Sequence, residues 1–187
     1  MNRLFVAIDL PEGIKKQLVA MECGMQGARW VAKEQLHLTL SFIGDVDDLT
    51  LQYIRTALKE VVSPAFPLNL CGIGHFPPGK YPRVLWVGLT ACKELLDLQH
   101  LVESALRKVG IPPEERRFSP HITIARLKET PAKRVLALEE EHKSFASPSF
   151  TVSEFHLYSS TLSRNGAIHT RQASYALTPF GSTASSV

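Results

Sequence analysis

One order of strand and helix patterns runs through the first half of this chain and then runs through again. Residues 3–9 are dense in β-formers and read as a strand. Pro11 suits the first turn of a helix, and Ile14, Leu18 and Met21 keep helical spacing behind it. A strand over about 36–43 follows. Next comes a helix over about 48–62, with Leu51, Ile54, Leu58, Val61 and Val62 on one face, then a strand over 66–73 and a Gly/Pro-rich loop over 74–82. From Arg83 the order returns. It gives a strand over 83–89, a helix over 94–109 with Leu95, Leu98, Leu101, Val102, Ala105 and Leu106 periodic, a loop over 110–120 and a strand over 121–126. A helix over about 131–142 and a strand over 150–158 complete the second pass. One extra strand, about 168–178, closes the fold, and the small polar tail 181–187 is expected to fray.

The spacing repeats as well as the order. His37 stands 29 residues before Phe66, and His121 stands 29 before Phe150. Arg3 to His37 is 34 residues and Arg83 to His121 is 38, a difference that a loop insertion explains. The pattern predicts one domain over 1–180, built from pseudo-repeats of about 3–78 and 83–160. Two lobes related by a two-fold would bring corresponding strands together across a cleft.

Bulk properties agree with an ordinary globular chain. Of 187 residues, 44% are apolar and 21% charged, enough for a substantial core. A net charge of +3 permits a polyanionic ligand without demanding one. The three cysteines, Cys23, Cys71 and Cys92, form no C-x-x-C pair, so neither a disulfide framework nor a cysteine-rich zinc site is indicated. Free thiols suggest a reducing, cytoplasmic setting. The apolar run 4–8 is too short for a signal peptide, and no stretch is long enough to cross a bilayer.

The chemistry-bearing residues sit at matched places in the two halves: His37-Leu38-Thr39-Leu40 and His121-Ile122-Thr123-Ile124. Side chains alternate along a strand, so a histidine and a threonine two apart share a face. Leu36, Leu38, Leu40 and Phe42 then take the core face of the first strand, and His37, Thr39 and Ser41 the other. In the second strand, Ile122 and Ile124 go inward while His121, Thr123 and Ala125 face out. Paired histidines can serve as acid and base near neutral pH, and the threonine hydroxyls can donate to the same ligand. A phosphoryl group needs such a set: a base for the incoming oxygen, an acid for the departing one, and donors for the charged oxygens between. The two hydroxyls and a protonated histidine supply the electrophilic side, so no metal or other cofactor is required. No Asp, Glu or Cys joins the histidines on these strand faces as a further metal ligand, and no G-x-S-x-G elbow, Walker loop or G-x-G-x-x-G occurs.

Leu36-His37-Leu38-Thr39-Leu40-Ser41-Phe42-Ile43-Gly44 and Ser119-Pro120-His121-Ile122-Thr123-Ile124-Ala125-Arg126 resemble the paired motifs of the 2H phosphoesterase superfamily. With residues 3–11, 83–89 and 157–162, the resemblance covers about 3–178 and is closest to the RNA 2′,3′-cyclic phosphodiesterases, also called 2′-5′ RNA ligases. It implies a bilobal α+β fold with antiparallel sheets lining a central cleft and helices outside. It also implies metal-independent hydrolysis of a 2′,3′-cyclic phosphate to a 2′-phosphate, and a reverse step that joins ends through a 2′-5′ bond. By this resemblance His37 is the proton donor, His121 the proton acceptor, and Thr39 and Thr123 hold the non-bridging oxygens. The near-symmetry of the two motifs leaves the acid and base roles open to exchange.

Arg126 stands where the family has an arginine and suits a phosphate contact. Strict alternation puts it on the core face unless the strand ends or bulges first. Phe5 can stack on a base or pack in the core. Lys33, Lys80, Arg83, Arg164 and Arg171 are candidate guides for an RNA backbone, and Tyr158, Ser159 and Ser160 for the cleft rim. His75, His100, His142, His156 and His169 lack a threonine two residues on and read as structural or surface groups. The expected partner is an RNA end bearing a cyclic phosphate, acted on by a monomer, with a bell-shaped pH profile whose limbs lie near neutrality. Two other readings stay open: an RNA-binding module without turnover, and a phosphodiesterase for small cyclic nucleotides or 2′-5′ oligonucleotides.

Overall fold

The computed structural model describes residues 2–163 and 166–179; the tail 181–187 and Arg164 lie outside the described residues. The first half runs β1 (Asn2–Asp9), α1 (Glu12–Val19), β2 (Ala28–Trp30), a 3-10 turn at Lys33–Gln35, β3 (His37–Val46), α2 (Asp48–Lys59), β4 (Phe66–Leu68) and β5 (Leu70–Phe76). The second runs β6 (Val84–Leu89), α3 (Lys93–Lys108), β7 (Ile122–Leu127), α4 (Ala132–Glu141), β8 (Phe150–Val152), β9 (Glu154–Ser163) and β10 (Gly166–Ala176). The helices follow their apolar stripes. Leu51, Ile54 and Leu58 are the buried face of α2, which Asp47 caps by accepting the Thr50 N–H at 2.7 Å. Val62, expected on that stripe, lies beyond the helix end and is 70% exposed.

The sheets are antiparallel, and each draws strands from both halves of the sequence. One has the order β10-β9-β1-β3, the other β2-β7-β6-β5, and β4 pairs with β8. If β1, β3 and β5 correspond to β6, β7 and β9, then β9-β1-β3 and β5-β6-β7 are the same arrangement with the third strand exchanged. The run 66–73 is therefore not one strand. It divides at Asn69, with β4 joining β8 and β5 joining β6, and the Asn69 amide donates to Thr90 Oγ1 at 2.9 Å at the break. The run 150–158 divides likewise into β8 and β9. Phe66 meets Val152 and Leu68 meets Phe150, the reciprocal register expected of equivalent strands. One continuous core runs through both sheets and all four helices, from Leu4, Leu38 and Leu157 to Leu85, Ile122 and Val135.

Close approach matters most at Gly74 on β5, which faces Trp86 on β6. A Cβ there would meet the indole Cζ2 at 2.4 Å, and Trp86 packs in turn on Phe76, 5.2 Å between ring centroids. Gly74→Ala must displace the indole or part the strands. We expect it to lower unfolding free energy by about 1–3 kcal/mol, read from urea denaturation. A stability equal to the parent's would show that the indole is not confined there.

Candidate active site

Bulges decide which side chains reach the cleft. On β3, Val6 pairs with Ser41 and Ala7 with Thr39, so Leu40 is the extra residue; Phe5 pairs with Phe42 and Leu4 with Gly44, so Ile43 is a second. Gly44 adopts φ +88°, backbone that a side chain would resist. On β7, Leu85 pairs with Ala125 and Trp86 with Thr123, leaving Ile124 extra. Each His-x-Thr motif is thus followed by one bulged residue, and the alternation reverses beyond it. Leu40 and Ser41 are both buried, as are Ile124 and Ala125, and Phe42 and Arg126 turn out toward the cleft. Three expectations are corrected by this, one being that Ala125 faces out with His121 and Thr123: it is fully buried. Phe42 is not core but 61% exposed, and Ser41 does not line the site. The backbone N–H of Phe42 instead takes the Glu114 carboxylate, at 2.7 Å, from the loop that leads to His121.

His37, Thr39, His121, Thr123 and Arg126 line one cleft of about 640 Å³, into which β3 and β7 bring their matched faces. A second concavity of about 740 Å³ at the start of α3 holds none of these five. The two histidines are held in the same way. His37 Nδ1 lies 2.6 Å from the Gln35 carbonyl oxygen, and His121 Nδ1 lies 2.7 Å from that of Ser119. A carbonyl only accepts, so each Nδ1 carries its hydrogen and donates it. Nε2 is left as the atom that takes or gives a proton, in both rings. Neither threonine hydroxyl has a hydrogen-bond partner among the described residues.

The His37 ring is the more enclosed of the pair in its electrostatics. Burial pushes its pKa down to about 4, against the pull of the Gln35 carbonyl and Asp9, with His169 adding to the depression. Beneath it lies an aromatic floor. Phe5 is 4% exposed, stacks on Tyr158 at 5.4 Å and lies 4.9 Å from the His37 ring. Its ring is thereby engaged under His37, and Phe5 also borders the cleft. Phe76 meets His121 edge-on at 5.1 Å on the other side. Below the first floor, Asp9 receives Lys15 at 3.3 Å, Arg171 at 2.6 Å and the Tyr158 hydroxyl at 3.2 Å. Burial works to raise the Asp9 carboxyl, but Lys15, Tyr158 and Arg171 outweigh it and hold it below the usual carboxylate range.

Apart from Arg126, the positive charge of the cleft is not where the sequence put it. Arg171 is committed to Asp9 and Lys33 to Glu12 at 2.9 Å, and neither Lys80 nor Arg83 lines the cleft. Arg3 and Arg29 do, together with Arg126. Arg3 was legible, since it shares a strand face with Phe5. Arg29 was not, because β2 is too short to show a pattern. His169 also lines the cleft, 5.2 Å from the His37 ring, although nothing in its local sequence sets it apart.

Residues 11–164 match the model of the 2′-5′ RNA ligase superfamily. An RNA 2′,3′-cyclic phosphodiesterase of Thermotoga maritima is 37% identical over 89% of this chain and 91% of its own. One from Methanocaldococcus jannaschii is 35% identical over 89% and 96%. Among solved structures, E. coli LigT complexed with 3′-AMP superposes with a TM-score of 0.76 at 29% identity, covering 95% of this chain and 98% of that one. Two bulged His-x-Thr strands facing one cleft, a family model spanning most of the sequence and relatives alike over nearly their full length leave one assignment: the chain belongs to the 2′-5′ RNA ligase superfamily.

Proposed function

We propose that this protein hydrolyses the 2′,3′-cyclic phosphate at an RNA end to a 2′-phosphate, with His37 as proton donor and His121 as proton acceptor. The observation that carries the reading is the shared tautomer: both rings have Nδ1 occupied by a backbone carbonyl and line one cleft. Water attacks phosphorus as its proton passes to His121 Nε2. The bond from phosphorus to O3′ breaks, and O3′ takes a proton from His37 Nε2. The product carries a 2′-phosphate and a 3′-hydroxyl. Thr39, Thr123 and Arg126 hold the non-bridging oxygens, Arg126 as a fixed charge set on the cleft side by the Ile124 bulge. A 5′-hydroxyl in place of water would attack phosphorus in the same sense, displace O3′ and leave a 2′-5′ bond. The names of the relatives support the substrate, and the 3′-AMP complexed with E. coli LigT supports a nucleotide ligand.

Burial of His37 changes one expectation. A ring with a pKa of about 4 is neutral in the empty site, so it must take up its proton from solvent as the substrate binds, the phosphate anion favouring the charged imidazole. The productive form holds one proton between the two rings. The kcat/KM profile should then keep its acid side down to about pH 4, where His37 becomes charged in the free enzyme, and not turn over near neutrality. Histidine NMR should show the His37 titration rising by about one unit or more when inorganic phosphate is bound. A His37 pKa that stays at about 4 with the anion in place removes this ring as the acid.

The roles separate by leaving group. His37→Ala should cost about 10²–10⁴-fold on a cyclic-phosphate-ended oligonucleotide. It should recover most of that loss on the analogue with sulfur at the 3′ bridging position, because a thiolate leaves without a proton. His121→Ala should lose as much on both substrates. Rescue of His121→Ala instead would exchange the assignments, and near-parental activity of either variant on the oxygen substrate would refute turnover by these groups. The same assay, with the position of the product phosphate determined, separates hydrolysis from binding alone.

A further inference from the structure

In-line displacement places the rest of the substrate. Attacking and leaving oxygens stand on opposite sides of phosphorus. On the reading above, water is on the His121 side and O3′ on the His37 side. In a cyclic phosphate O3′ belongs to the same ribose that retains the phosphate at O2′. The terminal nucleoside therefore lies over the β10-β9-β1-β3 sheet.

A third imidazole stands on that wall. His169 is on β10, opposite Ser160 of β9. Its ring meets His37 edge-on at 5.2 Å and Phe5 edge-on at 4.9 Å. The Gln35 side chain donates to the Ala167 carbonyl, which ties this part of β10 to the turn whose Gln35 carbonyl holds His37. His37, His75, His121 and His156 each have Nδ1 hydrogen-bonded within the protein. Among the described residues neither nitrogen of His169 has such a partner, although the ring is half-buried and faces the cleft. Packing on Phe5 needs only an aromatic edge, which phenylalanine would supply. The nitrogens are the part of the residue that packing does not use, and on the cleft side they are open to a ligand. Burial also lowers the His169 pKa, so the ring presents one donor and one acceptor.

We propose that His169 is a substrate-binding residue that hydrogen-bonds the terminal nucleoside of the RNA end and so sets the ribose against His37. The inference rests on the cyclic phosphodiesterase reading and on its placement of the leaving oxygen. His169→Phe keeps the edge contacts and removes the hydrogen bond. It should raise KM for 2′,3′-cyclic nucleotides by about 3–10-fold, the range of one neutral hydrogen bond, with kcat within about twofold of the parent. His169→Asn should restore part of the loss. Binding of inorganic phosphate should be the same in parent and variant, since the contact is to the nucleoside. Comparing the four cyclic nucleotides tells base from ribose: a contact to the base changes their ranking, and a contact to the ribose raises all four alike. An unchanged KM in His169→Phe overturns the proposal, as does a fall in kcat alone or an equal loss of phosphate affinity. An inactive parent enzyme would instead refute the phosphodiesterase reading itself.

Discussion

Two hydrogen bonds from imidazole to main chain determine what this cleft can do. A histidine with both nitrogens free samples two tautomers and many orientations. Donation from Nδ1 to the carbonyl two residues back, at 2.6 Å for His37 and 2.7 Å for His121, removes that freedom in both rings. Because the partner is backbone, the geometry comes with the strand entry itself. It needs no carboxylate, and so adds no negative charge near a substrate that is already anionic. The near-identity of the two arrangements makes the pair suited to one transfer in each direction, one ring receiving as the other gives.

The strands have to be irregular for the rest of the site to join these rings. Regular alternation would leave Arg126 in the core beside Ile122 and Ile124. The bulge at Ile124 buries two successive residues and returns Arg126 to the face of Thr123. Leu40 does the same on β3 and brings Phe42 out. Equivalent bulges at equivalent places, equivalent sheets with exchanged third strands and the reciprocal pairing of β4 with β8 all support the reading of the chain as one unit used twice. Through the exchange, each wall of the cleft takes a strand from the other half's sequence.

Local pattern carried most of the elements, because apolar period and turn chemistry act over a few residues. The helices began and ended within about two residues of the stripes that predicted them at all but one end, the end of α2 before Val62. What stayed hidden depended on pairing between distant segments. A run such as 66–73 has no mark at Asn69 to say that its two ends belong to different sheets. A bulge is a count of residues on one strand against another, so Phe42 read as core until β1 was laid beside it. His169 needed β9 and β1 between itself and β3 before it could be seen near His37. Arg171 and Lys33 looked like free charge until Asp9 and Glu12 were found across from them.

On the proposed assignment, the asymmetry between the two floors would give a chemically symmetric pair its direction. His37 rests on Phe5, which stacks on Tyr158, with His169 at its edge, and this enclosure lowers its affinity for a proton. His121 has Phe76 at its edge, backed by Trp86. A proton held loosely by an enclosed ring is easily surrendered once an anion has drawn it there, which suits the group that must protonate a departing oxygen. The ion-paired Asp9 lies below, its charge drawn toward Lys15 and Arg171, and so does little to stabilise an imidazolium in the empty site. On that reading the substrate's phosphate would complete the charge balance, and the acid would become competent only when there is something to protonate.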